Sequence, residues 1–350
     1  MHVYLYIITL FSLLAYFIDL VKSKKQKQFI FSMYCMLLAY FLGSRYGAGH
    51  DYFNYEKTYE SIAIITQNIP TFSSPLFFSL YELSNYLSLP FTVALSIFSL
   101  ITIYQCLYRS MTRNELLYSF IFLFLSGYIF FINNQIKQAL VSATFIFSLY
   151  YLEKRNFWKY FSLIILSSIS FHPSGIFLVL CYFITEKKID YKFYLLACIS
   201  GLIVVTKFDV YTQYVDLIKS LPLYGEKYAT RFDKTIQHVG SGLTILYHII
   251  IATVVCKFYS GNYKRGVNIY LIGVLLYIIF INSEFLERFF FYFIYLSFLF
   301  FPNIIKNKKS ITSWFIVFFT IILMIVNFIA EAAYNYGKHG ASGITWMFEL

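Results

Sequence analysis

Long apolar runs separated by short polar breaks follow one another along almost the whole chain. Twelve runs predict membrane-crossing helices, at roughly 3–21, 29–44, 90–108, 116–132, 136–152, 157–171, 173–185, 192–206, 243–258, 267–283, 286–302 and 311–330. Several are nearer fifteen than twenty residues, and the pair around His172-Pro173 reads as two short helices or a re-entrant hairpin. The runs are continuous instead of alternating, which argues against a β-barrel. The expected fold is all-α, a polytopic transmembrane helical bundle of about 12 spans forming a single integral membrane domain over residues 1–350. The first run has no basic n-region and no small-residue cleavage site, so it predicts a retained helix.

Two polar interruptions are long, 45–89 and 207–242. The first opens with Gly43-Ser-Arg-Tyr-Gly-Ala-Gly-His-Asp-Tyr-Phe-Asn-Tyr-Glu-Lys-Thr-Tyr59, which crowds Arg45, His50, Asp51 and Tyr46, Tyr52, Tyr55 and Tyr59 together. Its three glycines let the backbone turn sharply off a helix end. It reads as a charged pocket lip or as a loop anchored by tyrosines at headgroup level, with Tyr46 and Tyr59 the better anchors. After it, Ser73-Ser74-Pro75 leads into an apolar helix over Leu76–Leu87 that carries Glu82. The second interruption mixes charges with Pro222, Gly225, Gly240 and Gly242, and reads as a cap over a cavity or a solvated linker.

Composition agrees with lipid as the solvent. Apolar residues make up 59% of the chain and charged residues 13%, about half the usual share in soluble proteins. The net charge of +11 would suit nucleic acid or anionic lipid, and its placement favours lipid. Eighteen of the 28 lysines and arginines fall in alternate short loops: Lys22–Lys27, Arg109 and Arg113, Lys154–Lys159, Lys187–Lys192, Lys257–Arg265 and Lys306–Lys309. By the positive-inside rule those loops are cytoplasmic, and both long interruptions lie outside. All six histidines then fall outside or near the outer membrane face. None of the five cysteines lies in an outer loop, so no structural disulfide is expected.

Missing motifs narrow the chemistry. There is no phosphate loop, no His-Glu-x-x-His, no paired-cysteine metal spacing, no nucleophile elbow and no Asp-x-Asp pair. No metal and no cofactor is implied, and any phosphate would be met by arginine and lysine. Polar residues do gather at the expected outer helix ends. They are Arg45; Asn133, Asn134, Gln135, Lys137 and Gln138; His172; and Glu284, Glu287 and Arg288, with Tyr292 one turn along from Arg288. Ionisable residues at membrane depth are costly and mark ligand paths by default. Each also has a plain reading: Lys137 and Arg288 snorkelling, His172 capping a helix, and His248 a buried core histidine.

These residues resemble the EpsG-like family, relatives of Wzy-type polysaccharide polymerases. Arg45-Tyr-Gly-Ala-Gly-His-Asp51-Tyr-Phe-Asn-Tyr55 is similar to the family's Arg…Gly-x-Asp-x-x-x-Tyr signature. Lys137-Gln138-Ala139 resembles its Arg-Gln-x-x-Ala opening, with lysine in place of arginine. Phe171-His172-Pro173-Ser174 resembles its Phe-His-x-Ser turn, and Arg288-Phe-Phe-Phe-Tyr292 its late Arg-x-x-x-Tyr segment. The motifs stand in family order over roughly residues 1–330.

The resemblance implies a glycosyltransferase-type polymerase. It would join undecaprenyl-diphosphate-linked oligosaccharide units into capsule, exopolysaccharide or O-antigen at the outer face of the bacterial cytoplasmic membrane. Expected partners are the lipid-linked donor and acceptor, membrane lipid, and other assembly proteins such as a flippase or chain-length regulator, with no nucleic acid. Arg45, Lys137 and Arg288 are the expected diphosphate ligands, and Gln138, Tyr292, Tyr52 and Tyr55 further substrate-binding residues. His172 and Asp51 are the two candidates for the base. Alternative readings are a lipid-linked oligosaccharide flippase or transporter, a polysaccharide ligase, and an acyltransferase using His172.

Overall fold

A computed structural model describes residues 2–47, 49, 51–62, 74–207, 243–281, 284–307, 310–337 and 345–346. The interruption at 208–242, His50, His238 and His339 lie outside the described residues. The fold is all-α apart from a two-residue pairing. The helices are α1 (His2–Leu20), α2 (Lys24–Gly43), α3 (Tyr52–Glu60), α4 (Pro75–Tyr86), α5 (Phe91–Thr112), α6 (Leu116–Leu125), α7 (Tyr128–Asn134) and α8 (Ile136–Glu153). Then come α9 (Phe157–Ser170), a 3-10 helix (Pro173–Phe183), α10 (Tyr191–Lys207), α11 (Leu243–Phe258), α12 (Lys264–Ile279), α13 (Glu284–Ile294), α14 (Ser297–Lys306) and α15 (Ile311–Gly337). Strand β1 (Arg45–Tyr46) pairs antiparallel with β2 (Thr345–Trp346), Arg45 opposite Trp346.

Each of the twelve predicted runs is helical, but several differ in form. The run at 116–132 is two helices bent by 64°. Gly127 at φ 81° makes that corner, a backbone conformation glycine adopts at little cost. The run at 286–302 divides between α13 and α14, and 173–185 winds as 3-10 from Pro173. Among the described residues three stretches have the length and apolarity to cross a membrane: Phe91–Thr112, Arg288–Lys306 and Ile311–Ala333. The bent α6–α7 pair would make a fourth. The other predicted crossings are shorter or less apolar, so of about 12 spans only these three or four reach that measure. Faces suited to lipid are plain on single helices. On α15 Trp314, Phe315, Phe318 and Phe319 are all exposed, an apolar strip a water-facing helix would not carry.

The chain gathers into two compact units, residues 1–184 with 324–350, and 185–323. In the first, Phe11, Tyr34 and Phe120 meet ring to ring between α1, α2 and α6. At the far end of α1 the Asp19 carboxylate accepts from the Leu116 and Leu117 amides, at 3.2 and 3.1 Å, and so caps α6. Lys27 closes this clasp, 4.0 Å from Asp19 and bonded to Asn114. In the second unit Asn268 on α12 donates to the Thr185 and Lys187 carbonyls, each at 2.8 Å, and Arg265 pairs with Glu186 at 3.3 Å. All five cysteines are buried free thiols.

Candidate functional site

The lip is shaped by close approach. A Cβ at Gly43 would collide with Ser96, so the end of α2 lies directly on α5. The chain then reverses through Gly47 and Gly49, at φ +63° and +107°. A Cβ at Gly49 would come within 2.7 Å of the Asn133 carbonyl oxygen, so the lip is seated on the corner between α7 and α8. Asp51 takes the N-cap position of α3 without capping it, its Oδ1 3.4 Å from the Asn54 amide.

Between these turns Arg45 points inward and is 2% exposed. Its Nη1 donates to the Leu42 carbonyl at 2.7 Å, which leaves Nε buried and unbonded. Among the described residues no carboxylate is within ion-pair distance of it. Burial pulls the guanidinium down to about 10, opposed by the phenols of Tyr4, Tyr52, Tyr81 and Tyr55. It therefore stays charged at neutral pH, a buried cation with no carboxylate beside it among the described residues.

Tyr52 is buried edge-on to Tyr46 and Phe91, and its hydroxyl lies 3.5 Å from Glu56. Tyr55 rests on Phe77 of α4. Burial first, then Asp51, raises its phenol, while the first amides of α8, at Lys137 and Ile136, pull the other way. Tyr59, expected as a headgroup anchor, is instead buried and donates to the Leu89 carbonyl at 2.5 Å. Tyr46 is exposed.

Lys137 does not snorkel. Its Nζ lies 4.6 and 4.2 Å from the ring centres of Phe77 and Phe78, a cation–π arrangement that holds it against α4. Ser74 bonds the Phe171 carbonyl at 2.5 Å and ties the start of α4 to the end of α9, beside His172. His172 caps the 3-10 helix: Nδ1 accepts from the Ser174 amide at 3.4 Å and lies 2.6 Å from its hydroxyl. Burial, then the neighbouring Lys137 charge, lowers the imidazole to about 4, so the ring is neutral at pH 7. With Nδ1 accepting, the ring proton sits on Nε2. The Gln138 Oε1 is buried and unbonded.

The first unit thus brings Arg45, Tyr52, Tyr55, Lys137 and His172 into one neighbourhood, with Asp51 and Gln138 beside them. Arg288 and Tyr292 belong to the second unit. They are one turn apart on α13, with Arg288 exposed and Tyr292 buried edge-on to Phe289. The side chains of Glu284 and Glu287 lie outside the described residues. Sequence reasoning missed Tyr4, Phe77, Phe78 and Tyr81. A signal existed for the α4 pair: Phe77 and Tyr81 are four apart and so share a helix face, whereas Glu82 is exposed.

The model of the EpsG family matches residues 28–338. The chain belongs to the EpsG family. No curated protein and no solved structure matches it. Membership of the EpsG family, with the apolar helices, makes it a membrane protein of polysaccharide biosynthesis. A buried unpaired cation suits an anionic group, and the aromatic faces beside it suit sugar rings.

Proposed function

We propose that the protein polymerises oligosaccharide units carried on undecaprenyl diphosphate, by glycosyl transfer at the outer face of the bacterial cytoplasmic membrane. The observation that carries this reading is Arg45, buried and charged with no carboxylate partner among the described residues. A donor diphosphate would be its missing anion, and Lys137 a second cation near the start of α8. The acceptor hydroxyl attacks the anomeric carbon as the bond from that carbon to the diphosphate oxygen breaks. The electron pair passes to the diphosphate, where Arg45 stabilises it, and the hydroxyl proton passes to a base.

Of the two candidate bases, Asp51 is the better placed. Among the described residues its carboxylate has only a long contact to Asn54, whereas His172 Nδ1 is already accepting from Ser174. His172 then serves as a neutral donor through Nε2–H. Arg288 is a separate candidate phosphate ligand on the second unit, and Tyr292 a supporting residue under it.

Deleting the gene and sizing the surface polysaccharide tests the function. Single displayed units are expected, and Arg45→Ala and Asp51→Asn should give the same product at normal protein levels. Unchanged long chains after deletion would remove the polymerase reading. Single units trapped inside would instead identify a flippase, and full-length polymer left on its lipid carrier a ligase.

A further inference from the structure

Buried side-chain amide oxygens without a hydrogen-bond partner occur, among the described residues, at Asn133, Gln135 and Gln138. All three fall within one six-residue stretch, at the corner where α7 ends and α8 begins. Gln135 is the hinge of that corner, at φ −128° and ψ 61°, and Gln138 follows one turn later on the same side of the chain. Asn133 is 4% exposed; its Nδ2 is held 3.5 Å from the Tyr4 hydroxyl while its Oδ1 is left bare. Tyr4 in turn is one of the phenols around Arg45, and Gly49 sits against the Asn133 carbonyl, so the corner adjoins the buried cation.

An unsatisfied buried acceptor costs about 1–3 kcal/mol, so a bound group whose donors reach the three oxygens is favoured there. An amide oxygen can only accept. A ligand that satisfies the corner must bring O–H or N–H donors, and an anionic group would face carbonyl dipoles of the wrong sign. Arg45 wants the reverse. We propose that the α7–α8 corner is a sugar subsite: Asn133, Gln135 and Gln138 accept hydrogen bonds from the hydroxyl or acetamido N–H groups of an uncharged sugar, the one bonded directly to the diphosphate. The inference rests on the reading of Arg45 as the diphosphate ligand and adds the chemical class of the neighbouring sugar.

Binding, not turnover, tests it. The full-length protein in lipid nanodiscs is titrated with farnesyl diphosphate, with glucosyl, galactosyl and N-acetylglucosaminyl diphosphofarnesol, and with the galacturonosyl analogue. At least one uncharged glycosyl compound should bind about tenfold tighter than farnesyl diphosphate, the yield of one to two hydrogen bonds, and the galacturonosyl compound should lose that gain. Gln135→Met with Gln138→Met keeps shape and removes both acceptors. It should erase the preference while leaving farnesyl diphosphate binding unchanged. Gln138→Glu keeps an acceptor and should retain the preference.

Equal binding of glycosylated and bare diphosphate by the native protein would mean a water-filled corner only and would overturn the subsite. So would a Met double variant that keeps the full preference. Failure of the polymerase reading is seen separately, as long polymer in cells lacking the gene.

Discussion

A charged guanidinium is kept in an apolar membrane protein only at a cost, and at Arg45 no carboxylate among the described residues offsets it. His172 carries a different strain, because its surroundings favour the neutral ring. Burial and Lys137 hold its folded pKa near 4, against about 6.5 for a free imidazole. Between those values the unfolded chain binds a proton that the folded chain does not. Stability therefore falls as pH drops through 6.5 and keeps falling to about 4, where both states are protonated. Lys137 is the charged group facing His172, and Ser174 the polar one. Unfolding midpoints of the detergent-purified protein, taken from pH 8 to pH 4, should show this decline. His172→Gln should flatten it. An equal slope in the variant would mean that other groups control acid sensitivity and that His172 titrates alike in the folded and unfolded chain.

At the scale of elements, the helices were legible in the sequence and the bend inside one of them was not. Continuous runs such as Leu243–Phe258 announce themselves, and that helix begins and ends where its apolar run does. The break at Gln135 is announced by the polar Asn133-Asn134-Gln135, but the bend at Gly127 lies inside the apolar run 116–132. There a single residue's backbone conformation decides, and hydropathy carries no trace of it. The site was readable to the same degree. Arg45, Lys137 and His172 stand out because charge is scarce in such a chain, whereas Tyr4 and Tyr81 are two tyrosines among 34. Only tertiary packing selects them. The lip depends on one such corner. Gly49 combines φ +107° with backbone at the position of any added Cβ, and backbone cannot swing aside as a side chain does. Gly49→Ala should destabilise the fold by about 1–3 kcal/mol and shorten the polymer. Gly47→Ala meets only Phe53, at ordinary contact distance, and should cost about 1 kcal/mol. Thermal unfolding of the two variants compares them directly; a milder effect at Gly49 than at Gly47 would show that the lip is not seated on the Asn133 carbonyl.

Across the first unit, charge and site lie at opposite ends of the same helices. On α1 Tyr4 stands beside Arg45, and Asp19 closes the clasp with Lys27; fifteen residues of helix put roughly 22 Å between them. On α2 the basic start, Lys24 to Lys27, is separated from Gly43 by the length of the helix. That distance is most of a bilayer's hydrocarbon core, so helices that cross it would carry the two ends to opposite membrane faces. Under the proposed function the positive-inside rule would put the clasp in the cytosol and the lip outside. Lys57 on α3 and Lys24 at the start of α2 are both exposed, and the five native cysteines are all buried, which suits them to thiol labelling with low background. In intact cells a membrane-impermeant maleimide should label Lys57→Cys and leave Lys24→Cys unmodified until the membrane is opened. Native protein should stay unlabelled in both conditions. The reverse pattern would place Arg45, Asp51 and His172 on the cytosolic side, and polymerisation outside would fall with it. Labelling of both variants in intact cells would mean that the two ends share one face and that α1 and α2 do not cross the membrane.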